Sequence, residues 1–427
     1  MRLLYILATY LLFPLLFPAL CLHRKTRHGL WQRLGFYARG SLPPRGDGPV
    51  VWLHGASAGD LLALSPMFGP LRARFPGCQL ILSTMTDSGH AMATGRLAKD
   101  IDGVVYAPYD LWGATRRAVK ALRPDVLVLE YTEVWPNLIR AAKRGGARVV
   151  MTNGRFSPAN VERYRWLFRF IGNPLKDFDL MLMRHEDEAQ RARSLGARPD
   201  WVRVTGNTKF DSLASGPAAE DGVLREALGL PVDARVWIAG STHEGEEDVL
   251  LGVYRRLLAR WPDLRLVIAP RYVDRAPRVV ALAREAGLGV GLRSQGNPER
   301  GQVVVLDTIG ELSRAYRLAT VVFVGGSFTK RGGQNILEPA GQGKPVLFGP
   351  HMDNFKDSVA VLAGHGGIQV EDAEALHVRL TELLEAPGRI EELGAQALET
   401  VGRISGASER NAEAMTTLFP HGRAGPR

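Results

Sequence analysis

Short apolar runs that stop at a glycine-rich or hydroxyl-rich turn recur along this chain, and they restrict it to one kind of architecture. Pro49 to His54 runs into Gly55-Ala56-Ser57-Ala58-Gly59-Asp60, and Gln79 to Ser83 into Thr84-Met85-Thr86. Val126 to Leu129, Arg148 to Met151 and Leu180 to Met183 repeat the pattern, as do Val236 to Ala239, Leu264 to Ala269, Val303 to Leu306 and Val321 to Val324. Strands that are apolar on both faces belong to a parallel sheet covered by helices. Helical stretches lie between them, such as Leu61 to Phe75, so the fold class is α/β and doubly wound. A looser segment, Ser215 to Asp221, divides the series and reads as a hinge. The expectation is two Rossmann-like domains facing a cleft, with functional groups at the carboxyl ends of the strands.

The stretch from Val321 to Phe355 is the richest in such groups. Its first strand stops at Gly325-Gly326, and a second glycine pair, Gly332-Gly333, suits close approach of backbone to a ligand. Asn335 opens a short helix carrying Glu338, with Pro339 allowed only near its first turn. A glycine loop followed by a helix start can hold a nucleotide phosphate on free backbone N–H groups. Arg271, at the end of the strand Leu264 to Ala269, is a candidate phosphate clamp. Ser241, His243, Glu311 and Gly326 fall on the same rim.

Charge and cysteine content narrow the partners. Only Cys21 and Cys78 occur, which excludes a disulfide framework or a cysteine-rich zinc site. The net charge is +10, and residues 1–45 hold seven basic residues and no acid. That placement argues against a nucleic-acid-binding face and for a basic collar beside something anionic. Leu3 to Leu22 is twenty residues without a charge, read as an uncleaved membrane anchor with the following chain in the cytoplasm. Pro14 and Pro18 leave a shallow anchor as the other form. Asp177-Phe178-Asp179 enters its strand from the wrong end of the sheet for a metal site, so no metal is expected.

Asp60 stands where a helix begins, so it serves either as a cap or as a general base in a glycine-lined turn. Glu130 and Glu133 follow the strand Val126 to Leu129.

These motifs carry a resemblance. WLHGASAGD, STMTDSG, PYD, EVWPN, TGNTKFD, STHEGEE, APR, DTIGEL, FVGGS, RGGQNILEP and GPHMDNFKD stand in the order and spacing of the 3-deoxy-D-manno-octulosonic acid (Kdo) transferases of Gram-negative bacteria. The chain resembles them from its N-terminus to about Val370. The resemblance implies an inverting glycosyltransferase of the two-domain GT-B fold, using CMP-Kdo as donor substrate, no cofactor, and a lipid A precursor as acceptor at the cytoplasmic face of the inner membrane. It implies a membrane anchor over 1–22, a basic juxtamembrane segment and linker over 23–48, an acceptor-binding domain over 49–214 and a nucleotide-sugar-binding domain over 222–418. CMP is then held by Pro270-Arg271, by Ile309-Gly310-Glu311 and by Asn335-Ile336-Leu337-Glu338, while Lys209 stabilises transition-state charge.

Two departures fall on the acceptor side. The general base falls on Asp60 where the family has Glu, which shortens the reach by about 1.5 Å. Counting back from Trp135, the first acid of the family's ETELWPN motif is replaced by Tyr131. Either Tyr131 or its neighbour Glu130 takes over, or the chain has changed its sugar or acceptor, or it is a weakly active CMP-sugar binder. Smaller departures are Tyr272 and Gln334, where the family has His.

Overall fold

The computed structural model describes residues 2–22, 28–38, 40–213, 221–296 and 301–419. It divides into two units, Met1–Ser212 with Ile404–Arg427, and Leu213–Arg403. Each is built on a seven-stranded parallel sheet. The first contains β1 (Val50–His54), β2 (Gln79–Thr84), β3 (Gly103–Tyr106), β4 (Val126–Glu130), β5 (Arg148–Gly154), β6 (Leu180–Met183) and β7 (Val202–Val204). The second contains β8 (Val236–Thr242), β9 (Arg265–Pro270), β10 (Val290–Leu292), β11 (Val303–Val305), β12 (Val321–Val324), β13 (Val346–Phe348) and β14 (Gly367–Gln369).

Strand order is 3-2-1-4-5-6-7 in the first sheet and 10-11-9-8-12-13-14 in the second. The chain therefore reverses direction across the sheet between β1 and β4, and again between β8 and β12. Crossover loops leave opposite faces at such a point and open a crevice at the strands' carboxyl ends. The central strands are buried on both faces, with Trp52 and Trp237 at 0% exposure in their respective sheets. That double burial is why their sequences read as unbroken apolar runs.

Several expectations are corrected. The stretch Leu61 to Phe75 is not one helix: Pro66 lies in a 3-10 turn between helices Ala58–Leu64 and Phe68–Arg74. The edge strands β10 and β14 were not foreseen. The C-terminal part does not belong wholly with the second sheet. Helix Ala407–Thr416 packs on helix Phe68–Arg74, with Ala412, Met415 and Leu418 in the core under β1 and β2. Asp211 holds that helix's start, its carboxylate accepting from the N–H groups of Gly406 (2.6 Å) and Ser408 (2.5 Å). The expected hinge, Ser215 to Asp221, lies outside the described residues except for Asp221, which begins the helix Asp221–Ala227, and the collar residues Arg24, Lys25, Arg27 and Arg39 also lie outside them.

The apolar N-terminus is a helix, Arg2–Leu22. Among the described residues no helix is long and apolar enough to cross a membrane. One stripe of the helix is tied to the first unit. The Tyr5 hydroxyl donates to Asp110 (2.8 Å), the Gly113 N–H donates to the Tyr10 hydroxyl (2.9 Å), and Phe13 packs on Tyr109. Leu3, Leu4, Leu7, Leu11, Leu12 and Leu15 face outward.

Candidate active site

The reversal between β1 and β4 gathers the predicted catalytic residues of the first unit. Asp60 is the third residue of its helix, and its Oδ2 accepts from the Ser57 N–H (2.8 Å) and the Ser57 hydroxyl (2.9 Å). This is a capping box, so the structural role is real. The same bonds fix the carboxylate at the mouth of the turn, and Oδ1 takes no hydrogen bond among the described residues. Gly55 makes the turn possible: a Cβ there would sit 2.9 Å from the Asp60 Cβ. Both structural and functional readings of Asp60 are compatible with this geometry.

Across the crevice, β4 ends in Glu130, and Tyr131 follows in the left-handed region at φ 55°. Asn153, on neighbouring β5, is also left-handed at φ 51°. Two such residues without a glycine's freedom, side by side, mark a place where surroundings enforce the backbone. Lys209 sits 5.7 Å from the Tyr131 ring centre. The Tyr131 hydroxyl is buried without a hydrogen-bond partner, and burial raises its pKa, with Glu130 and Asp60 adding to the rise. It therefore presents Lys209 with a ring face, not a negative charge. Glu130 is fully buried, and its carboxylate is engaged by Thr152 and Asn153.

Glu133 accepts from the Trp135 indole N–H (2.7 Å) and lies 3.8 Å from the buried His54 ring. Burial would raise its pKa, but these two neighbours outweigh burial and hold it below the ordinary value. Asp179 is committed elsewhere, to Lys143, Arg148 and the Val149 N–H. Among the described residues no group of three His, Cys, Asp or Glu side chains could hold a metal ion.

In the second unit the reversal lies between β8 and β12, and it holds a residue that sequence reasoning passed over. Glu246 is 0% exposed, and its carboxylate accepts four backbone N–H groups. These come from His243 (2.9 Å), Gly326 (2.7 Å), Ser327 (3.0 Å) and Phe328 (2.9 Å). The glycine loop therefore turns its N–H groups inward onto Glu246, not outward to a phosphate as expected. Gly325 is needed for this, since a Cβ would stand 2.8 Å from the Glu246 Oε2. The spacing His243-x-x-Glu246 ahead of helix Glu247–Leu258 was the available signal, because a carboxylate three residues on reaches back to a backbone N–H.

Gly332 and Gly333 also differ from expectation. Both have positive φ, but the space beside them is filled by Asn354 and Met352, so they serve loop packing. Of the predicted CMP contacts, Pro270 ends β9 and Arg271 is exposed just beyond it, its guanidinium 5.9 Å from the Tyr272 ring. Ile309 is 86% exposed and Gly310 is left-handed, while Glu311 accepts from Arg293 (3.0 Å) and from Thr308. Asn335 accepts the Leu337 N–H (3.2 Å) and so starts the helix Leu337–Ala340. Ile336 and Leu337 are core side chains at 0% and 1% exposure, which leaves only their backbone for a ligand. Burial raises the Glu338 pKa, with a Ser313 hydrogen bond opposing it. His243 stacks edge-on against Tyr272 at 5.8 Å, and burial lowers its pKa.

Two doubly wound sheets, each with polar residues at its reversal point, are the architecture of the GT-B fold. A UDP-GlcNAc 2-epimerase from Neisseria meningitidis has the same fold, with a TM-score of 0.59 and 14% identity over 86% of this chain and 100% of that one. The family model for 3-deoxy-D-manno-octulosonic-acid transferase (kdotransferase) matches residues 28–212. The 3-deoxy-D-manno-octulosonic acid transferase of Haemophilus influenzae is 30% identical, covering 90% of each chain. That of Chlamydophila psittaci is 32% identical over 86% of this chain and 83% of its own. The chain belongs to the 3-deoxy-D-manno-octulosonic acid transferase family, and is a glycosyltransferase.

Proposed function

We propose that this protein transfers Kdo from CMP-Kdo to a lipid A precursor in lipopolysaccharide biosynthesis, with inversion at the anomeric carbon. The observation that supports this best is the meeting of Asp60, Tyr131 and Lys209 at the β1–β4 reversal. In the reaction, Asp60 removes the proton from an acceptor hydroxyl, whose oxygen bonds to the anomeric carbon. The bond from that carbon to the CMP phosphate breaks, and its electron pair leaves with CMP. Lys209 offsets the negative charge that develops, and Arg271 pairs with the phosphate. The rim of Pro270, Ile309-Gly310-Glu311 and Asn335 to Glu338 holds the nucleotide. No cofactor or metal takes part in this scheme.

The acceptor is a lipid, and the first unit offers a surface for it. Trp166, Leu167 and Phe170 are exposed on helix Val161–Ile171, which packs against helix Arg2–Leu22 and carries Arg163, Arg165 and Arg169. Outward leucines beside exposed aromatics and arginines suit the plane of an anionic membrane face, so the helix lies in the interface. Loss of vesicle binding is expected when Trp166 and Phe170 both become alanine, and unchanged binding would contradict that placement. Transfer itself is tested with purified protein in detergent, CMP-Kdo and a bisphosphorylated lipid A precursor. Mass spectrometry should find the precursor heavier by one or more Kdo units. An unchanged precursor mass would refute the proposed activity.

A further inference from the structure

Glu130 is the most deeply buried acid of the first unit's reversal point, and its bonds lead to both residues placed in the chemistry above. Its Oε2 is hydrogen-bonded to the Thr152 hydroxyl (2.6 Å), and its Oε1 accepts from the Asn153 side-chain amide. Asn153 uses its second amide hydrogen on the Thr208 hydroxyl, and its carbonyl oxygen accepts the Thr208 N–H (2.9 Å). The Thr208 hydroxyl in turn donates to the carbonyl of Ala63 (2.6 Å). Thr208 directly precedes Lys209, and Ala63 lies on the helix that carries Asp60 three residues earlier. The relay thus joins the end of β4, the end of β5, the lysine loop and the aspartate helix. Every polar atom of the Asn153 side chain is used, which leaves the relay one arrangement. The left-handed backbone at Tyr131 and Asn153 flanks it on both strands.

We propose that Glu130 is a positioning residue for the transfer reaction, holding Asp60 and Lys209 in register through Asn153 and Thr208. This rests on the reading of those two residues given above. Charged or titratable groups facing Glu130 are Asp60 from its helix, Lys209 from its loop and Tyr131 from the adjoining turn. Burial pushes the Glu130 pKa up to about 8, with the Asp60 charge adding to the rise and Thr152, Asn153 and Lys209 opposing it. With the carboxyl neutral, its O–H donates to the Thr152 hydroxyl while its other oxygen accepts from Asn153, and losing that proton sets a second negative charge beside Asp60.

The test compares Glu130→Gln, Glu130→Leu and Thr208→Val in the full-length protein. Glutamine keeps an acceptor for Asn153, a hydrogen-bonding group for Thr152 and no charge, so its turnover should stay within a few-fold of wild type. Leucine and the valine at 208 should each lower kcat by about 100-fold with the donor KM little changed, as expected for misplaced catalytic groups. Wild-type activity should fall as pH rises through about 8, and that fall should be absent in Glu130→Gln. Full activity in Thr208→Val, or the same alkaline fall in Glu130→Gln, would overturn the proposal. Amide hydrogen exchange over residues 205–213 and 57–64 gives a readout independent of turnover. Glu130→Leu should speed exchange in both segments and Glu130→Gln in neither; unchanged exchange in Glu130→Leu would also overturn it. A wild-type protein that transfers no Kdo would refute the proposed function instead, and the exchange comparison would still decide the role of Glu130.

Discussion

Each unit buries a glutamate at its sheet's reversal, Glu130 at the end of β4 and Glu246 in the turn after β8, and the two are held in opposite ways. Glu130, at the β1–β4 reversal, is bound by side chains and keeps its proton up to about pH 8. Glu246, at the β8–β12 reversal, is bound by four main-chain N–H groups. A side-chain relay can be satisfied by a neutral group, whereas four converging amide donors demand an acceptor at every site. The first arrangement links the Asp60 helix to the Lys209 loop, which the proposed mechanism uses to place both side chains. The second shapes a backbone loop. In the proposed function, donor recognition in the second unit therefore falls to side chains such as Arg271 and to the Asn335 turn, since the N–H groups of Gly326, Ser327 and Phe328 are taken by Glu246.

This contrast can be broken by experiment, and the sharpest blow is Glu246→Gln. The amide oxygen can accept two of the four N–H groups, and its NH₂ faces the other two donors. Each buried donor left unpaired costs about 1–3 kcal/mol, so a loss of roughly 2–6 kcal/mol is expected in denaturant melts. A change below 0.5 kcal/mol, on the order of a neutral surface substitution, would show the loop does not depend on Glu246. Arg271→Ala comes next. Losing a charge-assisted contact worth about 1.5–3 kcal/mol should weaken CMP binding about 10- to 100-fold in calorimetry. An unchanged dissociation constant would move the phosphate site away from Arg271.

The third test is the pH dependence of stability. Because the folded state raises the Glu130 pKa from 4.5 to about 8, it binds more protons than the unfolded state between those values. Its contribution to stability is therefore present at low pH and lost as pH rises through that window, by up to about 1.4 kcal/mol per pH unit. Glu130→Gln should flatten that part of the profile. An identical slope in the variant would mean that Glu130 is ionised in the fold.

Most of the frame was legible because burial on both faces leaves a plain apolar run, as in Val321–Val324. The strands β10 and β14 were not, being three residues long, each containing glycine, and only partly buried. Pro66 marks in the sequence the break between helices Ala58–Leu64 and Phe68–Arg74. The return of helix Ala407–Thr416 to the first unit was invisible, since no local pattern encodes which core an amphipathic helix joins. At the site, Asp60 could be named because its turn is short and polar, whereas Lys209 could be named only through the family resemblance. For Glu246 the local spacing signalled only the bond from His243, because its other three partners lie about 80 residues away in sequence and meet it only when β8 pairs with β12. Tyr131 was proposed as a substitute acid from its place in a motif, but its buried hydroxyl and left-handed backbone appear only in three dimensions.

The central claim is that Asp60 performs chemistry beyond capping its helix. Single-turnover transfer by Asp60→Asn, with CMP affinity measured on the same sample, separates the two roles. Asparagine keeps an acceptor for the Ser57 N–H and hydroxyl, so the turn should survive. Loss of a general base should slow transfer about 100- to 10,000-fold while CMP binds as before. Transfer at the wild-type rate would remove Asp60 from the mechanism and leave it a structural residue.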